Sequence, residues 1–464
     1  MQKQIVTGTL WTLFALLSLC ACGDKKEGNP TEAVYQKVNN RLYDVFSEAY
    51  LWNTRIPSRA SLQNTVEPEA YFEKLRYLPD DRWSDLFQNS DQVSQMLENE
   101  ESGFGYGLAF GRFTNTGTYF AVITHVYPNS PAEKAGLERG DLIIGINNSD
   151  ITDRNAQDLW YASSLTLTLG KLAGSEISEE GKVSMQASTQ YDDPVIATRI
   201  LEQSGHKIGY LCYTDYVERS ESRLTEVFTG FREAGVTDVV LDLRYNGGGL
   251  STTGVFLSSI LAPATALDGN TVYLTESWND LYNDYYDHEA NEDYDRKQYF
   301  KPDIPVNMNL NRLYILTSGQ TASASEGTII GLAPYMNVVT IGDSTYGKYC
   351  GAAFLETLDE RDKDLKQWGM MLVVYRFVNR DGLTDFKNGL APTFPVSDDL
   401  FETYPFGDER DPQLAKAIEL ITGNPLPAVA AAKISAPGHC RMLSDGRNFR
   451  HPVKKSLITL IPKR

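Results

Sequence analysis

Histidine and cysteine are scarce in this chain: five of each occur in 464 residues. There is no His-Glu-x-x-His pair, no paired Cys-x-x-Cys, no complete phosphate-binding Gly-x-x-x-x-Gly-Lys-Ser/Thr loop (Tyr349 follows Gly347-Lys348) and no Gly-x-Ser-x-Gly elbow. Zinc hydrolysis, nucleotide binding and the strand-turn-helix serine of the hydrolase fold therefore have no support. The histidines (His125, His206, His288, His439, His451) stand apart from one another, which disfavours a histidine-based triad. Positive charge is also in deficit. A formal charge of -18 excludes nucleic acid as a partner, because phosphate contacts require clustered Lys and Arg. The exception is the stretch 427–464, with eight basic residues against one acid, read as a solvated basic tail. No period of 20 to 50 residues recurs, which excludes a repeat array.

What is present begins with an apolar run from Leu10 to Leu19, too short to span a bilayer and of signal-peptide length. Leu19-Cys20-Ala21-Cys22 resembles the bacterial lipoprotein cleavage box, which implies lipidation at Cys22, export to a periplasm-facing membrane or the cell surface, and membrane attachment through the anchor alone. A polar tether, 22–30, follows. Residues 31–100 are expected to form a helical domain: Val34, Val38, Leu42, Val45 and Ala49 recur at helical spacing, and Glu67 to Leu78 reads as a second helix ending at Pro79-Asp80. With Cys20 and Cys22 in the leader, Cys212, Cys350 and Cys440 remain; one bridge is open to them, but no disulfide scaffold.

From 101 to 195 the chain turns to Gly and β-formers. Ser130-Pro131-Ala132 through Ala135-Gly136-Leu137-Glu138-Arg139-Gly140-Asp141, between strands Phe120–Val126 and Leu142–Ile146, resembles a PDZ domain. That resemblance implies capture of a protein's C-terminal end as an added strand, its carboxylate held by backbone N–H groups of Phe104, Gly105, Tyr106 and Gly107. From 196 to 426, short apolar strands alternate with helices, as in an α/β sheet with functional loops at the strand ends. The acid- and Tyr-rich stretch 277–300 lacks ordered calcium-loop spacing and reads as a solvated insertion. The whole is a multidomain α/β (α+β) chain.

Three strand ends carry the chemistry. Residues 317–326, Thr-Ser-Gly-Gln-Thr-Ala-Ser-Ala-Ser-Glu, place a serine where a helix begins, with free backbone N–H groups and the positive dipole end suited to a developing oxyanion. Asn246-Gly247-Gly248-Gly249 offers bare amides, and Gly342 to Lys348 presents one lysine between glycines. In this order behind a PDZ-like segment, these motifs resemble the C-terminal processing peptidases, or tail-specific proteases, and the helical front resembles the lipoprotein members from Bacteroides-like bacteria. The resemblance implies an α/β catalytic core of the crotonase-like or ClpP-like sort, Ser323 as nucleophile, Lys348 as its base, and an oxyanion hole from Gly248 and Ala324. It implies protein or peptide substrates with free C-terminal tails, and no metal or organic cofactor. Lysine near its ordinary pKa cannot accept a proton at neutral pH, so the dyad requires a buried amine; reaching about 7 requires about 4–5 kcal/mol of differential desolvation. Ser325 and Glu326 read as helix caps. One departure is Ala352, where the family carries a glutamine that orients the amine; Ser84 or Tyr349 could serve instead, and a peptide-binding lipoprotein that cleaves poorly is the alternative function.

Overall fold

The computed structural model describes residues 30–88, 102–173, 176–288, 295–424, 440–443 and 458–459. The leader with Cys22, the tether and most of the basic tail lie outside these residues.

Helix α1 (Pro30–Ala49) buries Val38, Leu42, Val45, Phe46 and Ala49, the stripe expected of an amphipathic helix, against α2 (Pro68–Leu75) and the catalytic core. Helix α2 ends at Leu75, earlier than the Pro79 breaker, where Arg76 turns extended and its N–H still bonds the Phe72 carbonyl. This N-terminal region packs directly on the catalytic sheet. Its side chains share one apolar cluster with the catalytic sheet, and strand β1 (Asp85–Phe87) pairs with a strand near residue 370.

The PDZ unit consists of β2 (Tyr106–Phe113), β3 (Tyr119–Val126), the short helix α3 (Pro131–Lys134), β4 (Leu142–Ile146), helix α4 (Asp158–Tyr161) and the long hairpin β5 (Ser164–Ala173) and β6 (Glu176–Gln186). Ser130 caps α3 by accepting the Glu133 N–H, with Pro131 at the first helical position, where its missing N–H costs nothing.

The catalytic unit runs β7 (Val195–Gln203), β8 (His206–Tyr213), α5 (Glu221–Glu233), β9 (Asp238–Asp242), α6 (Ser251–Leu261), β10 (Val272–Trp278), α7 (Asp280–His288), β11 (Lys297–Tyr299), β12 (Arg312–Thr317), α8 (Ala324–Leu332), β13 (Asn337–Gly342), β14 (Cys350–Leu355), β15 (Gly369–Val378), β16 (Phe394–Pro395) and α9 (Pro412–Thr422). One sheet has the order β7-β8-β9-β12-β13-β16, parallel except for its first pair. Both its faces are covered, so its strands read as continuous apolar runs while their side chains alternate: Leu211, Val239, Leu241 and Ile315 face one core, and Tyr210, Val240, Tyr314 and Leu316 face the other, under α9. A second sheet, β11-β10-β15-β14, packs on the first core.

The stretch 277–300 is not a simple solvated insertion. Trp278 and Tyr282 stack at 5.3 Å, and Trp278 also packs on Tyr375, because the Tyr side chains supply an apolar face that the acids do not obscure. The tail reading changes too: β17 (Cys440–Met442) joins the PDZ sheet beside β2, and β18 (Ile458–Thr459) joins β14. Cys212, Cys350 and Cys440 are free thiols, so the open bridge is not formed.

The PDZ and catalytic units meet at a buried ion cluster. Arg244, fully enclosed, bonds Asp242 at 2.6 Å and Asp411 at 2.8 Å; Arg139 of the PDZ unit reaches Asp398 at 3.2 Å, Tyr245 Oη at 2.9 Å and the Tyr404 carbonyl at 2.5 Å. Removing one partner from such a cluster leaves unpaired buried charge. Arg244→Met is expected to lower the unfolding free energy in urea by about 3–5 kcal/mol, against less than half of that for an exposed pair such as Arg59→Met.

Candidate active site

Four hydroxyls after β12 and in the first turns of α8 donate to backbone carbonyls. Ser318 Oγ donates to the Arg244 carbonyl, Thr321 Oγ1 to Leu243 (2.8 Å), Ser325 Oγ to Asn246 (3.1 Å) and Thr328 Oγ1 to Ala324 (3.0 Å). The abundance of small polar residues there has this structural reason: three of the four carbonyls belong to the segment leading into the glycine loop. Ser323 differs from them. It is fully buried at the cap of α8, with φ 59° and ψ −115°, a conformation that a side chain tolerates only when its surroundings impose it, at about 1–3 kcal/mol.

The glycine loop meets this serine directly. A Cβ added to Gly248 (φ +108°) would fall 2.6 Å from Ser323 Cβ and 3.0 Å from the Ala324 nitrogen, so only glycine fits. Gly248 and Ala324, the expected oxyanion donors, thus both border Ser323. The Gly248 N–H nevertheless donates to Asn246 Oδ1 at 2.8 Å, and Asn246 is itself anchored to the Tyr213 carbonyl. An oxyanion would compete with that side-chain amide.

Glu326 organises the rest. Its carboxylate, fully buried, accepts four hydrogen bonds: from Ser323 N–H (2.9 Å) and Lys348 N–H (2.8 Å) on Oε2, and from Gly347 N–H (2.7 Å) and Thr345 Oγ1 (2.5 Å) on Oε1. The serine and lysine amides therefore converge on one oxygen. Burial outweighs the four donors and pushes the Glu326 carboxyl up to about 7. The capping half of this role was legible in the Ser323-x-x-Glu326 spacing; the two amides from the lysine loop were not.

Lys348 is fully enclosed, and burial holds its amine down at about 8, against the pull of Cys350, Asp81 and Glu326. Trp83, from the N-terminal region, lies with its ring centroid 5.9 Å from Nζ and packs edge-on against Tyr349. Asp81 fixes that turn by accepting the Trp83 and Ser84 N–H groups at 2.9 Å. Ser84 Oγ, one of the two expected holders of the amine, accepts the Val373 N–H; Ala352 sits buried in β14 opposite Val373 and brings no polar group.

Phe104, Gly105, Tyr106 and Gly107 border a cavity of about 160 Å³ that also reaches Tyr245, Gly247 and Gln320, so the expected carboxylate-binding loop and the glycine loop share one space. Among the described residues, no group of His, Cys, Asp and Glu could hold a metal ion, and no helix is long and apolar enough to cross a membrane.

The segments that carry this geometry match known families. Residues 207–396 match Peptidase family S41, residues 37–84 the Peptidase S41 N-terminal domain and residues 122–161 a PDZ domain. The chain belongs to peptidase family S41. Among relatives of this S41 chain, the carboxyl-terminal-processing protease of Synechocystis sp. is 24% identical over 81% of this chain and 82% of its own. The carboxy-terminal processing protease CtpA of Bacillus subtilis is 25% identical over 57% of this chain, which spans half of that protein. The crystal structure of an S41-family protein from Bacteroides fragilis NCTC 9343 superposes with a TM-score of 0.67 at 28% identity, covering 82% of this chain and 97% of its own.

If Trp83 helps keep Lys348 dry, Trp83→Ala admits water and raises the amine toward its ordinary value. The kinetic pKa of peptide hydrolysis is then expected to move from about 8 to above 9. Activity should fall at pH 7 and recover at alkaline pH; a loss equal at every pH would refute this role.

Proposed function

We propose that this S41 peptidase is an exported lipoprotein serine endopeptidase that cuts proteins at or near their C-terminal tails, with Ser323 as nucleophile, Lys348 as general base and the PDZ unit as the reader of the tail. The observation that carries the reading is the convergence of the Ser323 and Lys348 amides on Glu326 Oε2, with a lysine enclosed enough to lose its proton near pH 8.

In this mechanism the neutral Lys348 amine accepts the Ser323 Oγ proton as the oxygen attacks the scissile carbonyl. The resulting ammonium protonates the departing amine, leaving an acyl-serine. Lys348, neutral again, then takes a proton from water, whose oxygen attacks the ester and restores the serine. The Ala324 N–H, at the first turn of α8, stabilises the oxyanion, joined by the Gly248 N–H once it leaves Asn246. The shared cavity supports a route from the PDZ loop to the glycine loop. The substrate is protein; the membrane is met only through lipid at Cys22, and no cofactor enters any step.

Ser323→Ala and Lys348→Ala are each expected to lower kcat at least 1000-fold on a peptide with a free C-terminal carboxylate, and Lys348→Arg should be equally inactive, since a guanidinium keeps its proton. Wild-type kcat should rise with pH through about 8, because the active form is the deprotonated amine. Wild type and variants that bind the peptide but are alike in failing to cleave it would instead favour a peptide-binding lipoprotein, the outcome expected if Ala352 leaves the amine badly aimed.

A further inference from the structure

Strand β2 of the PDZ unit has β3 on one side, and β17 from the basic C-terminal segment on the other. The pairing is antiparallel, with Cys440 opposite Phe113, Arg441 opposite Arg112 and Met442 opposite Gly111; the Leu443 N–H then donates to the Phe110 carbonyl at 2.8 Å. Rising residue number thus runs toward Tyr106 and the Phe104–Gly105 loop. A peptide docking its C-terminus at that loop as an added strand would use this edge, this direction and these main-chain bonds. Side chains secure the strand. Leu443 packs on the PDZ core with Trp160, while Cys440 and Met442 join Phe120, Val122 and Leu142 on the other face. Ahead of Leu443, between Tyr106–Leu108 and Leu159–Tyr161, the groove remains open as the cavity described above.

We propose that residues 440–443 are an intramolecular ligand of the PDZ edge that competes with substrate tails for β2. The inference rests on the reading that the PDZ unit binds such tails. A tethered strand needs few contacts to compete, because tethering gives it a high effective concentration. Charge favours its return: the segment 427–464 is strongly basic on a chain of net charge -18. The same segment also places β18 in parallel against Ala352 and Ala353 of β14, the strand that follows Lys348, so it covers two sheet edges beside the site. Among the described residues the contact on β2 is short, spanning 440–443, as suits a displaceable brake.

The test is the affinity of a fluorescent peptide with a free C-terminal carboxylate, read by anisotropy, for three uncleaving proteins: Ser323→Ala, Ser323→Ala lacking 427–464, and Ser323→Ala with Leu443→Pro, which removes the N–H given to Phe110. The second and third are expected to bind roughly tenfold more tightly, as when the competent fraction rises from a tenth to near one. A synthetic peptide of residues 436–450 should displace the label from the truncated protein. Equal affinity in all three overturns the inference while leaving tail recognition intact. Tightening by truncation but not by Leu443→Pro overturns the assignment to 440–443. Absence of binding in all three overturns tail recognition itself, and the competition with it. Should the truncated chain fail to fold, the Leu443→Pro protein decides alone.

Discussion

One buried carboxylate holds the site together. Glu326 is fully buried, so its oxygens need hydrogen-bond donors, and the four protein donors that meet them come from both halves of the proposed dyad. A donor set of this kind fixes two loops more than 20 residues apart in sequence to one point. The serine is consequently held in a backbone conformation that it would not adopt alone, and the lysine loop cannot relax outward without stranding a buried charge.

The same dryness that makes Glu326 demanding makes Lys348 useful. Holding the amine down from its ordinary 10.5 to about 8 corresponds to about 3 kcal/mol of disfavour for its charged form. The source lies partly outside the catalytic unit. Trp83 is delivered by the front of the chain, which is bound to the core by the α1 stripe and by β1 on β15. The N-terminal region is thus part of the lysine's environment. Linkage runs accordingly: between about pH 8 and the ordinary lysine value the unfolded chain holds a proton that the folded one lacks, so this group makes stability rise with pH there.

Much of this was legible in the sequence where local rules dominate. The strands Leu142–Ile146 and Arg312–Thr317, the helix after Ser220 and the start of α8 follow from apolar runs, caps and glycines, and these place Ser323, Gly248 and Lys348 at strand ends. Long-range partners were not legible. Nothing in Trp83 announces that it will cover a lysine 265 residues later, and nothing in Asn246 announces that its side chain takes the Gly248 N–H. The acidic Tyr-rich stretch and the described residues 440–443 of the basic tail are docked where their composition suggests solvation, for a common reason: charge density conceals the few apolar side chains, such as Tyr282 and Leu443, that dock each segment. Ala352 needs its own account. A buried alanine cannot aim an amine, and the enclosure of Lys348 by Trp83 and the Glu326-bound loop is the alternative this chain offers.

The central claim is that the Glu326 carboxylate, through its bonds to the serine and lysine amides, sets the geometry of the reaction. The most direct measurement is kcat of Glu326→Gln on a cleavable tail peptide, since glutamine keeps the volume but replaces one acceptor with a donor facing N–H groups. A fall of about 100-fold in kcat, about 2.7 kcal/mol of barrier, with KM within threefold, is the predicted result. A kcat within twofold of the parent protein would contradict the account.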